Sequence, residues 1–386
     1  MATLDPAVEA AALADLDRAR LVVNTGVCAS TDSATANHWG RWRTFCIGMA
    51  IDPLLSQLED PIALLQIFAI RYRSGEIAPS GGKVRARTVE GAIRAIGQTL
   101  ASVGAPDPRY NLSHKIDFRL QRMWSSYTRD DPPPKRVKPI PISGIRHVIG
   151  IAYASHVASV LAIAHMVVLA FFFLLRPGEY TSGSKSSDTT PFTQDDVQLF
   201  IGHRRLCLIT TSDARLRRAT FGTLEFTNQK NGVRGEVIGL GRSGSQTLCP
   251  VYVLVERVIH LRTHNAPAAT PLSSYFANGK WKPVRPSDIT LILKNAVAVL
   301  GASLGFTKED ITARALRASG AMALLCANVD HDRIQLVGRW KSDAMLRYLH
   351  VQAQPVMQHF AKAMVTDGEF SLIPNRAVVQ PTVPLH

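Results

Sequence analysis

The segment ITARALRASGAMALLCANVDHDRIQLVGRWKSDAMLRYLHV, residues 311–351, combines a helical pattern with several side chains that can bind an anion. Apolar residues recur at helical spacing in TARALRASGAMALL, and Thr312 is predicted to cap this helix. Arg314 and Arg317 lie three residues apart, so we expect both guanidinium groups on one helix face, directed at one anion. A phosphodiester is the predicted anion, because fixed guanidinium groups stabilise the charge that its oxygens carry in the transition state.

The second half of the segment, VGRWKSDAMLRYL, adds Trp340 and Tyr348. A helix is predicted to start at Ser342 and Asp343. A tyrosine hydroxyl is a poor nucleophile at its ordinary pKa of about 10, so covalent catalysis needs positive charge beside it, which the arginines can supply. Taken singly, these residues have ordinary interpretations: a solvated basic surface for the arginine pair and a packed aromatic for Tyr348.

Two further cations precede this segment. Arg176 follows the apolar stretch FFFLL, and Glu179 is its predicted partner because an unpaired buried charge is costly. Lys230 precedes an Asn231-Gly232 pair, which is typical of a two-residue hairpin turn. A lysine at such a tip could donate a proton to a leaving alkoxide, and an ordinary exposed turn lysine is the alternative.

The composition favours a polyanionic partner. The 386 residues carry 44 Lys plus Arg against 30 Asp plus Glu, which gives a net charge of +14 and a sequence pI near 9.9. Nucleic acid is the predicted partner, and an anionic membrane surface is the alternative. The five cysteines show no Cys-x-x-Cys pair, which argues against a disulfide framework or a zinc site and favours a reducing compartment. The acidic, alanine-rich N-terminus lacks the pattern of a signal peptide, so secretion is not expected.

The stretch VASVLAIAHMVVLAFFFLL, residues 157–175, is long enough to cross a bilayer. We predict a buried core helix instead, because the run is isolated, ends in RPGEY and has few basic residues around it. A soluble protein is therefore expected, and a membrane-anchored basic protein is the rival interpretation.

The proline-rich stretch RDDPPPKRVKPIPIS, residues 129–143, is the predicted linker between two domains. Residues 1–25 are predicted to form an arm and residues 26–128 an all-helical domain, with helices in 30–50, 60–75 and 88–104. Residues 144–366 should form an α+β domain with a small antiparallel sheet, and residues 367–386 a tail. The predicted strands are VQLFIG, RLCLIT, TFGTLEFT and GEVIGL; two helices follow, the second capped by Ser287. The predicted class is mainly α.

Taken together, Arg176, Lys230, Arg314-x-x-Arg317, Gly338-Arg339-Trp340 and Tyr348 resemble the tyrosine recombinase (phage-type integrase) family. The closest likeness is to the eukaryotic branch carried by Crypton-like, Ngaro-like and DIRS-like mobile elements. The resemblance covers most of the chain, since the helical region before the linker is similar to the core-binding domain of that family. It implies a core-binding domain followed by a catalytic domain and an enzyme for integration or excision of a mobile element. The implied location is the nucleus, or the cytoplasm before import.

The resemblance also implies a role for each of these residues. Arg176 and Arg317 would hold the scissile phosphate, Trp340 would pack or hydrogen-bond there, and Lys230 would protonate the 5′-oxygen leaving group. Tyr348 would form a 3′-phosphotyrosyl intermediate, which a 5′-hydroxyl resolves. No metal or nucleotide cofactor is implied. The implied partner is double-stranded DNA, bound by four protomers on two duplexes, with a monomer or dimer expected without DNA and no membrane.

One residue departs from the family pattern. Arg314 stands where the family usually has histidine, and arginine stays protonated and cannot accept a proton. His350 is a substitute to consider, although a solvent-facing histidine is the more ordinary interpretation. The alternative function is therefore a catalytically degenerate DNA-binding protein derived from such a recombinase. Relaxation of DNA, in which the cut strand rejoins itself, is a variant of the same chemistry.

Further DNA contacts are predicted in two basic stretches. They comprise Lys83, Arg85, Arg87 and Arg94 around the start of one helix, and Lys135, Arg136 and Lys138 in the linker. These cations would contact phosphates, which position a protein on DNA without reading its sequence. Trp39 and Trp42 are predicted to lie in the core instead of stacking on bases.

Overall fold

The computed structural model describes residues 6–27, 29–56, 58–111, 113–133, 138–183, 189–227, 234–304 and 307–341. The chain divides into two compact units. The first is mainly Met1–Lys135, and the second comprises Arg136–Gly183, Thr190–Gln229 and Val233–His386.

The described part of the first unit is built from helices. They are α1 (Pro6–Thr25), α2 (Ala29–Gly48), α3 (Pro61–Ser74), α4 (Ala86–Ser102) and α5 (Phe118–Asp130). Helix α3 shows how the sequence sets its limits: the Asp60 carboxylate accepts a bond from the Ile62 amide, and Gly75 ends the helix at a φ of 101°. The helices predicted in 30–50, 60–75 and 88–104 are confirmed.

Aromatic rings fill the core of the first unit. Trp42 and Phe68 are fully buried, with ring centroids 5.4 Å apart, and Phe68 stacks on Tyr72 at 5.6 Å. Trp39 is partly buried against the same core. The prediction that both tryptophans belong to the core is confirmed.

The second unit combines helices with two small sheets. Its helices are α6 (Ile142–Ser155), α7 (Ala158–Phe172), α8 (Pro177–Tyr180), α9 (Asp213–Leu216), α10 (Pro250–Thr263), α11 (Pro286–Leu304), α12 (Ala315–Cys326) and α13 (His331–Gly338), with 3-10 turns at Gln194–Asp196 and Lys308–Asp310. Its strands are β1 (Val197–Ile201), β2 (Arg204–Arg205), β3 (Phe221–Phe226), β4 (Glu236–Gly241), β5 (Tyr275–Ala277) and β6 (Lys280–Lys282). The predicted class, mainly α with a small antiparallel sheet, is confirmed.

Helix α7 lies in the core of the second unit, where α6, α10, α11 and α12 pack around it. Its residues from Ala164 to Ala170 are at most 4% exposed. This burial confirms the predicted core helix within residues 157–175. Among the described residues, no helix has both the length and the apolar character that crossing a bilayer requires.

The larger sheet has the order β2-β1-β3-β4, with all neighbours antiparallel. Its predicted strands β1, β3 and β4 are confirmed. The predicted strand RLCLIT is wrong beyond its first residue, because β2 ends at Arg205 and the Thr211 amide donates to the Cys207 carbonyl in a turn. Lys230 and the Asn231-Gly232 pair lie outside the described residues, within the connection from β3 to β4.

A second hairpin, β5-β6, was not predicted although the sequence contains its signal. Ala277 pairs with Lys280, and Asn278 and Gly279 between them have φ values of 54° and 71°. Such values are typical of the turn that an Asn-Gly pair forms in a two-residue hairpin. The strands are only three residues long, too short for an alternating pattern to be evident in the sequence.

Two predicted helix caps are wrong. Ser287 lies inside α11, which begins at Pro286, and the Asp288 carboxylate accepts from the Arg285 amide instead. Thr312 lies before the start of α12, whose N-cap is Arg314. In both cases the chain enters its helix at a residue other than the Ser or Thr that ranks highest as a cap.

Candidate active site

The end of α7 places Arg176 at the edge of the core. Leu174 adopts a left-handed φ of 52°, and the Leu175 amide donates to the Ala170 carbonyl, 3.0 Å away, which closes the helix. The chain then turns into the short helix α8 with Arg176 as its N-cap. After this turn the Arg176 side chain is 30% exposed and lies next to buried Glu179.

Glu179 fixes the orientation of Arg176. Its two carboxylate oxygens accept from the backbone amide of Arg176 at 2.8 Å and from Nη1 of the same residue at 2.9 Å. The Glu179 side chain is only 2% exposed. Glu179 is the partner that the sequence predicts for Arg176, and the structure shows this ion pair.

Arg339 is the second cation bound to Glu179. Its Nη2 donates to Oε2 of Glu179 at 3.0 Å, and its side chain is fully buried. Burial lowers the pKa of Arg339 to about 10, although the Glu179 carboxylate opposes that shift. No sequence motif assigns Arg339 a role of its own, so this buried ion pair was not predicted.

The same guanidinium also binds the ends of two helices. At the end of α7, Nη1 donates to the Phe173 carbonyl at 3.1 Å and Nη2 to the Leu174 carbonyl at 3.3 Å. At the end of α13, Nη1 donates to the Val337 carbonyl at 3.1 Å. Helix ends leave such carbonyls without partners, and a cation there also complements the helix dipole. Arg339 therefore joins α7, α8 and α13.

The backbone at Arg339 makes this reach possible. Its φ is 56°, a left-handed value that usually favours glycine. The Trp340 amide donates to the Gln335 carbonyl at 3.1 Å, and the Arg339 amide to the Leu336 carbonyl at 2.9 Å, so α13 closes as α7 does. A left-handed residue other than glycine costs about 1–2 kcal/mol, which the contacts of the guanidinium offset.

Arg317 contacts both neighbours of Arg339, Gly338 and Trp340. Its Nη2 donates to the Gly338 carbonyl, and its Cζ lies 4.3 Å from the centre of the Trp340 ring. Arg317 is 4% exposed. A Cβ added to Gly338 would lie 1.5 Å from Cζ3 of Trp340, so the close approach of this ring requires glycine. Gly338 thus permits the cation–π contact that orients Arg317.

Short contacts hold helix α12, which carries Arg317, and the residues before it in place. The Ser319 hydroxyl accepts from the Ile140 amide at 2.7 Å, and the Tyr180 hydroxyl donates to the Ala313 carbonyl at 3.1 Å. A Cβ added to Gly320 would lie 2.1 Å from the Phe171 carbonyl oxygen, so α12 packs directly on the backbone of α7.

Arg314 and Arg317 have different environments. Arg314 precedes α12 and is exposed, whereas Arg317 lies in its first turn and is buried. That both guanidinium groups face one anion stays a prediction. Tyr348, His350 and the predicted helix start at Ser342 and Asp343 lie outside the described residues, as Lys230 does.

The structure thus brings together three of the predicted site residues, Arg176, Arg317 and Trp340. Glu179 and Arg339 link Arg176 to Gly338 and Trp340, and these two contact Arg317. The arginine cluster, as we call it, comprises Arg176, Glu179, Arg317, Gly338, Arg339 and Trp340. Among the described residues, no group of three or more His, Cys, Asp or Glu side chains is placed to hold a metal ion.

The predicted DNA-binding cations that the structure describes lie on the surfaces of both units. Lys83, Arg85, Arg87 and Arg94 are exposed around the start of α4 in the first unit. Arg94 pairs with Glu90 at 2.8 Å, and Lys138, in the second unit, pairs with Asp310 at 2.9 Å. Lys135 and Arg136 lie outside the described residues. Contact of these cations with DNA stays a prediction.

Comparison with known proteins returns solved structures only. The sequence matches no protein-family model and no curated protein. The Tn1549 transposon integrase in complex with circular intermediate DNA is 14% identical, covers 78% of this chain and 84% of its own, and gives a TM-score of 0.43.

Two further solved structures are similar at the same level. The Tn1549 integrase with transposon right-end DNA is 13% identical, with coverages of 85% and 99% and a TM-score of 0.43. XerA recombinase is 11% identical, with coverages of 85% and 98% and a TM-score of 0.35. These neighbours are integrases and recombinases, at a similarity too low to carry an assignment of family or activity.

Proposed function

We propose that this chain is a tyrosine recombinase, which cuts and rejoins double-stranded DNA through a 3′-phosphotyrosyl intermediate on Tyr348. The observation that supports the proposal is the arginine cluster. It joins cations and an aromatic ring that are far apart in the sequence, Arg176, Arg317 and Trp340, through contacts that include the buried carboxylate of Glu179. These are the residues that the resemblance to tyrosine recombinases assigns to binding a scissile phosphate.

Arg176 is suited to bind that phosphate. Glu179 fixes its Nη1, and its remaining guanidinium N–H groups make no bond to a described residue. Glu179 also binds Arg339, so its single negative charge is shared by two arginines and does not fully neutralise Arg176. Arg176 is therefore held in one orientation and keeps donors for the non-bridging oxygens of a phosphodiester.

Arg317 would stabilise the same charge from the other side of the phosphate. The Gly338 carbonyl and the Trp340 ring fix its orientation before DNA arrives. A guanidinium that is already in position needs no reorganisation during the reaction, which is the main advantage of such sites over water. Arg314, which is exposed, would add a further positive charge.

In the proposed reaction the Tyr348 hydroxyl oxygen attacks phosphorus while the bond from phosphorus to the 5′-oxygen breaks. Lys230 gives a proton to that oxygen, which leaves as a 5′-hydroxyl. The proton of Tyr348 needs a base, and His350 is our candidate because Arg314 cannot accept one. Attack by a 5′-hydroxyl of a partner strand reverses these steps and restores the phosphodiester.

Covalent capture tests the proposal. Nicked duplexes, in which cutting releases a short fragment and prevents rejoining, are incubated with the protein and run on a denaturing gel. A shifted band is expected with wild type and with the matched control Tyr110→Phe, and none with Tyr348→Phe. A band that persists in Tyr348→Phe would refute this nucleophile.

A degenerate DNA-binding protein is the second candidate. It is favoured by Arg314 at the position of the usual histidine and by Arg317, which is only 4% exposed. Under this alternative the wild type binds DNA without any covalent product, and Tyr348→Phe changes nothing. The variant Arg314→His discriminates further, since a band that appears only after this substitution would show that a missing base had stopped the reaction.

Finer features of the proposal follow the sequence pattern. Gly338-Arg339-Trp340 followed by Ser342, Asp343 and Ala344 supports the eukaryotic mobile-element branch, hence a role in integration or excision and a nuclear location. We propose a clamp made of residues 26–128 and 144–366, and four protomers on two duplexes with residues 367–386 packed on a neighbour.

A further inference from the structure

One end of the four-stranded sheet carries exposed arginines that no described residue engages. Four of them make neither a side-chain hydrogen bond nor an ion pair within the described part of the chain. They are Arg204 and Arg205 of β2 and Arg215 and Arg218 in and after α9, here called the arginine patch. Other exposed arginines, such as Arg87 and Arg146, are also unpaired, but these four lie in segments that meet at one end of the sheet.

Hydrogen bonds bring the segments that carry these arginines together at one end of the sheet. The turn between β1 and β2 is bound to the residue before β3, because the Gly202 amide donates to the Thr220 hydroxyl at 3.1 Å. The Thr220 amide in turn donates to the Phe200 carbonyl at 2.7 Å. Arg242, which follows β4, donates to the Ala219 carbonyl at 2.7 Å. The patch therefore rests on a packed framework.

Two acidic residues near the patch are already engaged by other arginines. Glu256 pairs with Arg217 at 2.8 Å, and Asp213 lies 3.6 Å from Arg262. Asp195, which lines a surface pocket together with Arg205, makes no ion pair with a described residue, but its single charge leaves the four arginines with an excess of positive charge. A surface of this kind attracts a polyanion.

The patch lies at the opposite end of β3 from the arginine cluster. Phe226 ends β3 and contacts Arg339, whose Cζ is 3.8 Å from the ring centre, whereas Phe221 begins the strand at the patch. At about 3.3 Å per residue these ends are about 17 Å apart. The patch therefore cannot bind the phosphate that the cluster binds.

The neighbouring aromatic rings decide between duplex and single-stranded DNA. Phe200 and Phe221 meet edge to face, with ring centroids 6.2 Å apart. A Cβ at Gly239 would lie 2.4 Å from Cζ of Phe221, so that ring covers the glycine. Phe221 is 39% exposed, but one ring packed edge to face is a smaller platform than the successive stacking rings of a single-strand site, which favours a duplex.

We propose that the arginine patch is a second phosphate-binding surface, which holds the backbone of duplex DNA away from the scissile position. The inference rests on the proposed function in so far as DNA is the polyanion. Arginine side chains bind phosphate oxygens through paired donors, and such contacts position a protein on a duplex.

Salt-dependent binding tests the inference. A labelled duplex is titrated with wild type and with the variant Arg204→Gln, Arg205→Gln, Arg215→Gln, Arg218→Gln over a series of KCl concentrations. The matched control, Lys280→Gln, Lys282→Gln, Arg285→Gln, Arg333→Gln, removes the same charge from exposed residues of the same unit. Thermal unfolding of each variant checks that it is folded.

We expect the slope of log K against log salt concentration to fall by about 0.9 for each lost phosphate contact in the patch variant. This is a fall of about 2–4 in all, with affinity reduced on the order of 10–100-fold at ~0.15 M salt. The control should keep the wild-type slope. Equal slopes for all three proteins, or an equal fall in both variants, would overturn the inference.

Covalent capture separates this inference from the proposed function. Capture through Tyr348 combined with an unchanged slope in the patch variant would support the recombinase proposal and refute the phosphate-binding role of the arginine patch. A reduced slope without any covalent product would support the patch and remove the recombinase proposal.

Discussion

Each unit contains a buried arginine bound to a carboxylate, and the two networks differ in where they end. In the first unit, Arg73 binds Asp131 at 2.5 Å, and the second oxygen of Asp131 accepts from the Ala86 amide at 2.8 Å. In the second unit, Glu179 binds buried Arg339 and also Arg176, which is 30% exposed.

The difference separates a structural role from a positioning role. The Arg73 network is closed, because its partners all lie in or directly beside the helices α3 to α5. They are the Asp131 carboxylate and the carbonyls of Val84 and Tyr127. The Arg339 network continues through Glu179 to a guanidinium that solvent can reach. A closed network can only stabilise the fold, whereas the open one also orients a side chain for a ligand.

Loss of Arg339 should have the largest effect. Arg339→Met leaves Glu179 buried beside one partly exposed partner and frees carbonyls at two helix ends, so the free energy of unfolding should fall by about 3–5 kcal/mol. Urea unfolding measures it, with exposed Arg333→Met as the control. The double variant Glu179→Gln, Arg339→Met should recover part of the loss. An effect of Arg339→Met as small as that of the control would contradict the network described here.

Arg176→Met should separate activity from stability. Loss of one positioned donor typically slows a reaction about 10²–10³-fold, and we expect this decrease in the rate of covalent capture. The free energy of unfolding should change by less than about 1 kcal/mol, since the pair is partly exposed. Arg146→Met, on the exposed surface of α6, is the control. If stability fell while capture did not, Arg176 would be as structural as Arg73.

Arg73→Met should show the opposite pattern. The Asp131 side chain is 15% exposed and keeps its bond to α4, so we expect a loss of about 2–3 kcal/mol in the free energy of unfolding. Capture by the folded fraction should match wild type, because the variant leaves the arginine cluster intact. A lower rate of covalent capture at saturating DNA would show that Arg73 takes part in the reaction.

Acid should weaken the second unit more than the first, where burial and Arg41 also lower the pKa of one histidine, His38. Burial, followed by the charges of Arg257 and His260, lowers the pKa of His165 to about 3. The unfolded chain takes up this proton near pH 6.5, so stability is lost as the pH falls below that value, by about 2 kcal/mol between pH 7 and pH 5.

Asp131 behaves differently in this range. Burial opposes its ionisation, but the hydrogen bonds from Arg73 and Ala86 outweigh burial and lower its pKa below 3.8. The contribution of ionised Asp131 to the free energy of unfolding is therefore kept until the pH falls below 3.8. Urea unfolding at the two pH values, read by a tryptophan in each unit, tests this difference. His165→Gln should remove part of the acid sensitivity, since burial also lowers the pKa of His260 in this unit, to about 4. An unchanged pH dependence in this variant would exclude His165 as a source.

Local patterns made parts of this molecule predictable from sequence. Arg176 and Glu179 lie three residues apart at a helix start, so their pairing follows from spacing and from the cost of an unpaired charge. Helices α2 to α4 and α7 have clear apolar patterns with caps or breaks at their ends. The sheet was found for the same reason, since three of its strands have β-branched or aromatic residues.

Long-range contacts could not be predicted in this way. The bond from Arg339 to Glu179 spans 160 residues, and no local pattern marks it. The left-handed φ of Arg339 was hidden as well, because glycine is the usual signal for that conformation and here it stands one position earlier, at Gly338. By contrast, Asn278-Gly279 was a signal of the same kind as Asn231-Gly232 and was overlooked.

The guanidinium of Arg339 has a consequence for local opening of the fold. Helices α7 and α13 each end in a left-handed residue, and this one side chain bonds to carbonyls from both ends. Neither end can fray without breaking bonds that the other shares. The amide protons of Leu175 and Trp340, which close the two helices, should therefore exchange with solvent at similar rates, as members of a single cooperative unit that spans the site.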